Sequence, residues 1–126
     1  MELYADEKDI QSIIESLNFL LNINGYINID FMDIRMMAEN NSAYFANFIK
    51  IKGITENINH SHSDCVKGVI FDIKTSTTID KDSLSKFMGN IEKSYENVKV
   101  IFGIRFDDTL KGNEIAASVI ELSIRV

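Results

Sequence analysis

Residues 66–106 contain a helical pattern between two strand patterns: VKGVIFDIK (66–74), KDSLSKFMGNIEKSYE (81–96) and VKVIFGIRF (98–106). The first and last segments predict strands, because their apolar residues recur at alternate positions. In the last segment, the alternation points Val98, Val100, Phe102, Ile104 and Phe106 inward and Lys99 and Arg105 outward. The middle segment has apolar residues at helical spacing behind Asp80, a residue type that caps helices. The three segments predict two strands joined by a crossover helix.

Two further helices are predicted before this unit. The first covers residues 6–21, where an apolar stripe follows helical spacing. Its members are Ile10, Ile13, Ile14, Leu17, Leu20 and Leu21. A second helix is predicted over residues 30–40, after an Asn-Gly turn signal.

Two more strands complete the predicted sheet, over residues 43–52 and 115–126. The apolar phase of the last strand shifts between Val119 and Ile120, which fits either a bulge or burial of both faces early in the strand. The sequence therefore predicts an α+β fold. We expect a two-layer sandwich, with a four-stranded mixed sheet and helices on one face, preceded by an N-terminal helix.

The amino-acid composition of the chain argues against several classes of function. The chain has 126 residues, which favours one domain, and its 19 acidic and 13 basic residues give a net charge of −6. This charge argues against nucleic acid or an anionic membrane as a partner. Cys65 is the single cysteine, which excludes an internal disulfide, and the sequence carries neither a signal-peptide layout nor a long apolar segment. We expect a cytoplasmic location.

The densest polar cluster is NGYINIDFMD, residues 24–33. Asp30 and Asp33 stand three residues apart at a predicted helix start, so both carboxylates can lie on one face. Together with the Asn28 amide they are suited to orient a water molecule or a cation. The alternative is structural: Asn28 or Asp30 caps the helix, and Asp33 compensates its dipole.

A second cluster offers metal-ligating residue types. His60 and His62 stand two residues apart and Cys65 follows them, which suits zinc or nickel if another ligand comes from elsewhere. The alternative is a polar loop in which these residues meet by coincidence.

The polar cluster also resembles a known motif, the synergy loop of the FtsZ/tubulin family, which in bacterial members typically reads GLINVDFAD. Three later segments are similar to family segments in the same order. They are VKGVIFDI (66–73), VIFGI (100–104) followed by DDTL (107–110), and EIAASVI (114–120). The resemblance extends over residues 10–120. It identifies residues 1–24 with the central helix of the family and residues 25–126 with its C-terminal domain.

The resemblance implies catalysis in trans. In FtsZ the synergy loop of one subunit completes the GTP-hydrolysing site of the next. Carried over, Asp30 and Asp33 would polarise the attacking water and Asn28 would help to place it on a partner's GTP. Gly25, Tyr26 and Met32 would lie at the contact, where Met32 replaces a residue that is usually small.

The nucleotide-binding domain of the family has no counterpart in this sequence. The six glycines are too far apart to cradle phosphates. We therefore expect no cofactor bound by this chain alone and no autonomous GTPase activity. GTP would be carried by a partner or by a missing domain.

The sequence is compatible with three functions. In the first, the chain is an interaction module that docks on a tubulin-like GTPase and caps or modulates filaments in cell division. In the second, it is the excised or split half of a polymerising FtsZ-type GTPase. In the third, it is a small ligand-binding or enzymatic oligomer on a similar α+β fold.

Overall fold

The computed structural model describes residues 2–22, 43–54 and 66–124. Seven elements follow in chain order: β1 (Glu2–Tyr4), α1 (Glu7–Asn22), β2 (Ala43–Ile54), β3 (Val66–Thr75), α2 (Lys81–Ser94), β4 (Lys99–Phe106) and β5 (Glu114–Ile124).

The strands form one mixed sheet in the order β1-β2-β5-β3-β4. β1 is parallel to β2 and β3 is parallel to β4, whereas β5 is antiparallel to both of its neighbours, β2 and β3. The predicted α+β fold, with a mixed sheet after an N-terminal helix and a crossover helix between β3 and β4, is confirmed. β1 adds an edge strand that was not predicted, because three residues are too few to show a periodicity.

The two described helices cover opposite faces of the sheet, whereas the sequence predicted two layers with helices on one face. Ile13 of α1 packs in one apolar cluster with Ile70 of β3, and Ile91 of α2 packs in another with Phe71. Successive residues of a strand point to opposite faces, so α1 and α2 lie on different sides of β3. The other predicted helix, over residues 30–40, lies outside the described residues.

Only part of the predicted apolar stripe on α1 is buried. Ile13 is 5% exposed, whereas Ile10 and Ile14 are 44% and 47% exposed. The apolar stripe of α1 is therefore wider than the part of the helix that packs against the sheet. Among the described residues, no helix is long and apolar enough to span a membrane.

Local signals fix both ends of α2. The Asp80 side chain accepts a hydrogen bond from the Asp82 N–H at 3.2 Å, as an N-cap should. At the other end, the Tyr95 N–H donates to the Ile91 carbonyl, and Asn97 follows with a positive φ of 63°. The helix therefore ends at Ser94, slightly earlier than predicted.

β5 buries both of its faces. Ile115, Ala117 and Val119 pack in the α2 cluster, whereas Ile120 and Leu122 pack in the α1 cluster. The phase shift therefore reflects burial of both faces, which occurs over residues 119–122 and not early in the strand as predicted. In the described sheet, the register irregularity lies in β3, between Val66 and Gly68.

Candidate functional site

The residues that the sequence singled out for chemistry lie outside the described residues. They are Gly25, Tyr26, Asn28, Asp30, Met32 and Asp33 of the synergy-loop-like segment, and His60, His62 and Cys65 of the metal-ligand cluster. Their roles stay predictions.

The described residues contain a half-open polar cleft between α1 and the sheet, called here the α1 cleft. Three hydroxyl side chains line it, Ser12 and Ser16 from α1 and Ser118 from β5. Ser16 is 5% exposed, although serine is usually a surface residue. Polar side chains therefore extend to the buried end of the cleft.

A buried ion pair forms one wall of the α1 cleft. Arg105 donates from Nε to Asp72 Oδ1 at 3.0 Å and from Nη2 to Oδ2 at 3.1 Å. Asp72 is 2% exposed and Arg105 is 19% exposed, so solvent screens this pair little. In the strand register, Gly103 stands opposite Asp72. Since Gly103 has no side chain, the long Arg105 side chain can reach back along β4 to the carboxylate.

Further charged residues line the outer part of the α1 cleft. Lys50 of β2, Lys74 of β3 and Glu15 of α1 all contribute to its lining. Glu15 is exposed and accepts a hydrogen bond from Gln11 at 3.2 Å. The lining thus combines three cations with two carboxylates, in a chain that has 13 basic and 19 acidic residues. The cleft has the opposite charge balance to the whole molecule.

A second buried polar pair lies on the other face of the sheet. The Tyr95 hydroxyl donates to Glu121 Oε2 at 2.9 Å, and the Tyr95 ring meets Phe71 edge to face at a centroid distance of 5.7 Å. Burial raises the pKa of the Tyr95 phenol above its usual range, and the adjacent Glu121 carboxylate raises it further. Both residues are at most 3% exposed, so this pair has a structural role and no access for a substrate.

The turn between β4 and β5 contains a compact hydrogen-bonded carboxylate. Asp107 Oδ1 accepts from Thr109 Oγ1 at 2.6 Å and from the Thr109 N–H at 2.8 Å. These two hydrogen bonds hold the pKa of the Asp107 carboxyl below its usual value. The Asp107 N–H also donates to the Thr75 carbonyl at 2.9 Å, which ties the turn to the end of β3.

Sequence reasoning missed the α1 cleft and misplaced two residues of β4. Arg105 was predicted to point outward, but it lines the cleft beside α1 and is paired there with Asp72. Phe106 was predicted to be buried but is 48% exposed at the end of its strand. One signal could have found the site: Asp72 stands alone between Phe71 and Ile73, and a buried carboxylate requires a partner.

Among the described side chains, no three His, Cys, Asp or Glu residues are grouped so that they could hold a metal ion. The chemistry that the α1 cleft offers is therefore ionic and hydrogen-bonding. It can receive a small polar group, which the lysine ammonium groups, the Arg105 guanidinium and the serine hydroxyls would contact.

Comparison by sequence finds no relative. No family model matches the chain. No curated protein matches it either.

Comparison by structure does find similar proteins. A mutant of FtsZ from M. jannaschii superposes with a TM-score of 0.65 at 13% identity, over 93% of this chain and 39% of FtsZ. The empty FtsZ dimer from M. jannaschii gives a TM-score of 0.62 at 13% identity, over 94% and 39%. CetZ from Methanosaeta thermophila gives 0.48 at 13% identity, over 94% and 36%.

This chain thus spans 39% of the length of the FtsZ chains that it matches. The matched portion is their C-terminal part. The chain therefore has the fold of the C-terminal part of FtsZ.

Proposed function

We propose that this chain is an FtsZ-like interaction module that docks on the nucleotide-bearing face of a tubulin-like GTPase. The observation that carries the proposal is the FtsZ fold, which extends over 93% of the chain. The contact would be made by the synergy-loop-like segment with Asn28, Asp30 and Asp33. The resemblance of that segment to the FtsZ motif supports the choice of this surface.

The role proposed for the segment is to complete the partner's hydrolytic site. Asp30 and Asp33 would polarise the water that attacks the partner's GTP, and Asn28 would help to place it. Phosphoryl transfer to water depends on positioning and electrostatics, so a few well-placed polar groups are enough. α1 supplies a suitable support, since it is packed on the sheet through Ile13 and ends at Asn22.

The proposed biological effect is modulation of filaments in cell division. In this proposal the module occupies the growing end of a filament through its synergy-loop-like segment and does not recruit the next subunit. Filament growth would stop there, so the chain would act as a cap.

The test is a polymerisation assay of the host's tubulin-like GTPase with GTP. The chain is added below equimolar amounts, and filament length and phosphate release are followed. We expect shorter filaments and altered phosphate release, and we expect both effects to disappear in the Asp30→Ala/Asp33→Ala variant.

A matched control removes two carboxylates elsewhere. Glu92 and Glu96 are exposed, on α2 and directly after it, so Glu92→Ala/Glu96→Ala makes the same change in charge away from the docking segment. This control should act like the wild type. The proposal fails if the wild-type chain has no effect, or if the Asp30→Ala/Asp33→Ala variant keeps the full effect with an unchanged thermal midpoint.

A second candidate function is the split half of a polymerising GTPase. Ile10 and Ile14, both nearly half exposed on α1, favour it, because a second domain would cover apolar side chains of this kind. In that case an isolated nucleotide-binding domain of the host GTPase should form a stable complex with the chain. Ile10→Ser/Ile14→Ser should weaken that complex, whereas Asp30→Ala/Asp33→Ala should leave it intact.

A further inference from the structure

We propose that the α1 cleft is a binding site for a phosphate group. The proposal is independent of the docking function, since it uses only described residues on the α1 face of the sheet. Lys50, Lys74 and Arg105 supply positive charge, and the serine hydroxyls supply further hydrogen bonds.

The charge balance of the cleft favours an anion. The Asp72 carboxylate is paired directly with Arg105, which leaves Glu15 as the other carboxylate of the lining, and the exposed Asp107 carboxylate outside the cleft also acts on Lys74. Within the described residues, neither Lys50 nor Lys74 forms a salt bridge. Glu15 and Lys50 are both exposed at the rim, so solvent screens their charges more than those of the half-buried Lys74 and Arg105.

The ion pair gives the cleft a fixed donor geometry. Because Asp72 accepts from both Nε and Nη2, the guanidinium plane of Arg105 is held in one orientation. An arginine held in this way is preorganised, so a ligand loses less of its binding energy in ordering the side chain. Asp72 is thus a positioning residue for Arg105 and would not contact the ligand itself.

The dimensions of the cleft limit the ligand to a small group. Its cavity of about 90 Å³ has room for several water molecules or one small polyatomic ion. Lys50 and Lys74 lie on β2 and β3, with β5 between them, so they approach the cavity from opposite sides. Cationic groups on two sides and hydroxyls between them are suited to a tetrahedral oxyanion, which accepts hydrogen bonds in several directions.

The test is a titration of the full chain with inorganic phosphate at low ionic strength, followed by amide chemical shifts and by calorimetry. We expect saturable binding, with the largest shifts around Ser118, Lys74 and Arg105. Lys50→Gln and Lys74→Gln should each weaken binding by about two- to fivefold, as expected for partly exposed ion pairs. Glu15→Gln should strengthen it by a similar factor.

The matched control is Lys86→Gln, which removes an exposed lysine from α2, on the other face of the sheet. Its phosphate affinity should equal that of the wild type. Arg105 is left unchanged in this series, because its removal would leave the buried Asp72 carboxylate without its partner and would destabilise the fold.

Several results would overturn the proposal. The first is a lack of saturable phosphate binding. The second is an equal phosphate affinity in Lys50→Gln, Lys74→Gln and Lys86→Gln. The third is acetate binding as tight as that of phosphate. A parallel titration with O-phosphoserine distinguishes the sources of the group. Tighter binding of inorganic phosphate indicates the free ion, and tighter binding of O-phosphoserine indicates a phosphoryl group on a larger molecule; either supports a phosphate site.

Discussion

At the scale of the residue, each face of the sheet buries one carboxylate against a donor side chain within the described part of the chain. Asp72 is paired with Arg105 under α1, and Glu121 accepts from Tyr95 under α2. A buried carboxylate that loses a donor retains its desolvation penalty without the compensating hydrogen bond. Substitutions that remove one of these donors should therefore lower the free energy of unfolding by more than the change in side-chain volume suggests.

Tyr95→Phe tests this expectation because it removes one hydroxyl and keeps the ring. We expect the free energy of unfolding to fall by about 1–3 kcal/mol, since the buried Glu121 loses a donor. Chemical denaturation measures the change. Adding Glu121→Gln to the Tyr95→Phe variant should recover part of the lost free energy of unfolding, because the glutamine side chain is neutral. A change within about 0.5 kcal/mol in Tyr95→Phe would contradict this account.

The Asp107 carboxyl provides a prediction about pH. Its pKa is lowered by hydrogen bonds from Thr109, so its contribution to stability is present above the unfolded-state pKa and is lost as the pH falls through the folded-state value. Thr109→Val removes the hydroxyl donor and should raise the pKa of Asp107 toward its usual value. Carboxyl carbon shifts followed through an acid titration measure it. An unchanged pKa would show that the Thr109 hydroxyl does not act on Asp107 in solution.

At the scale of the element, the sequence predicted every strand and helix of the described part that has a clear period. The strand predicted over 66–74 is Val66–Thr75, and the helix predicted over 81–96 is Lys81–Ser94. β1 was missed because Glu2–Tyr4 is too short to show an alternation. β1 forms because it pairs with β2, so its own three residues are not enough to predict it.

The α1 cleft could not be predicted for a related reason. Asp72 and Arg105 are 33 residues apart, and they meet because β3 and β4 pair in one register. The alternation in β4 shows that Arg105 points away from the face on which α2 packs. It does not show that α1 packs on the opposite face. The position of α1 depends on how the helix packs on the sheet. The apolar stripe of α1 does not show which of the helix residues become buried. The synergy-loop-like segment, by contrast, was found from sequence alone and stays a prediction.

The packing of α1 can be tested with two neighbouring isoleucines. Ile13 is buried against the sheet and Ile14 is 47% exposed, so the same substitution probes a core position and a surface position on one helix. Ile13→Ala should lower the free energy of unfolding by about 2–5 kcal/mol.

Ile14→Ala serves as the control and should change stability by no more than about 0.5 kcal/mol. Alanine also has the higher helix propensity, which partly offsets any lost contact at Ile14. Similar losses in the two variants, measured by chemical denaturation, would show that α1 does not pack as described.

At the scale of the whole molecule, the sheet consists of two parallel pairs joined by one antiparallel strand. β1–β2 forms one pair and β3–β4 the other, and β5 lies between them. In the described part of the chain, β5 is hydrogen-bonded to a strand on each side and has apolar residues on both faces, whereas β1 has a partner on one side only. Stability should therefore be highest at β5 and lowest at β1.

Amide hydrogen exchange measures this distribution directly. We expect the slowest exchange in β5 and in the middle of β3, with protection close to that of global unfolding, and the fastest strand exchange in β1. Protection of β1 equal to that of β5 would contradict the arrangement, because an edge strand of three residues can open without disturbing the rest.

The position of β5 also has a consequence for synthesis of the protein. The ribosome makes the chain from its N-terminus, so β1 to β4 all emerge before β5 does. Until residues 114–124 have left the exit tunnel, β2 and β3 each have an unpaired side, and unpaired strands are prone to associate with other chains. The nascent protein therefore cannot close its sheet before β5 has been made, and slow elongation before β5 should increase its need for chaperones.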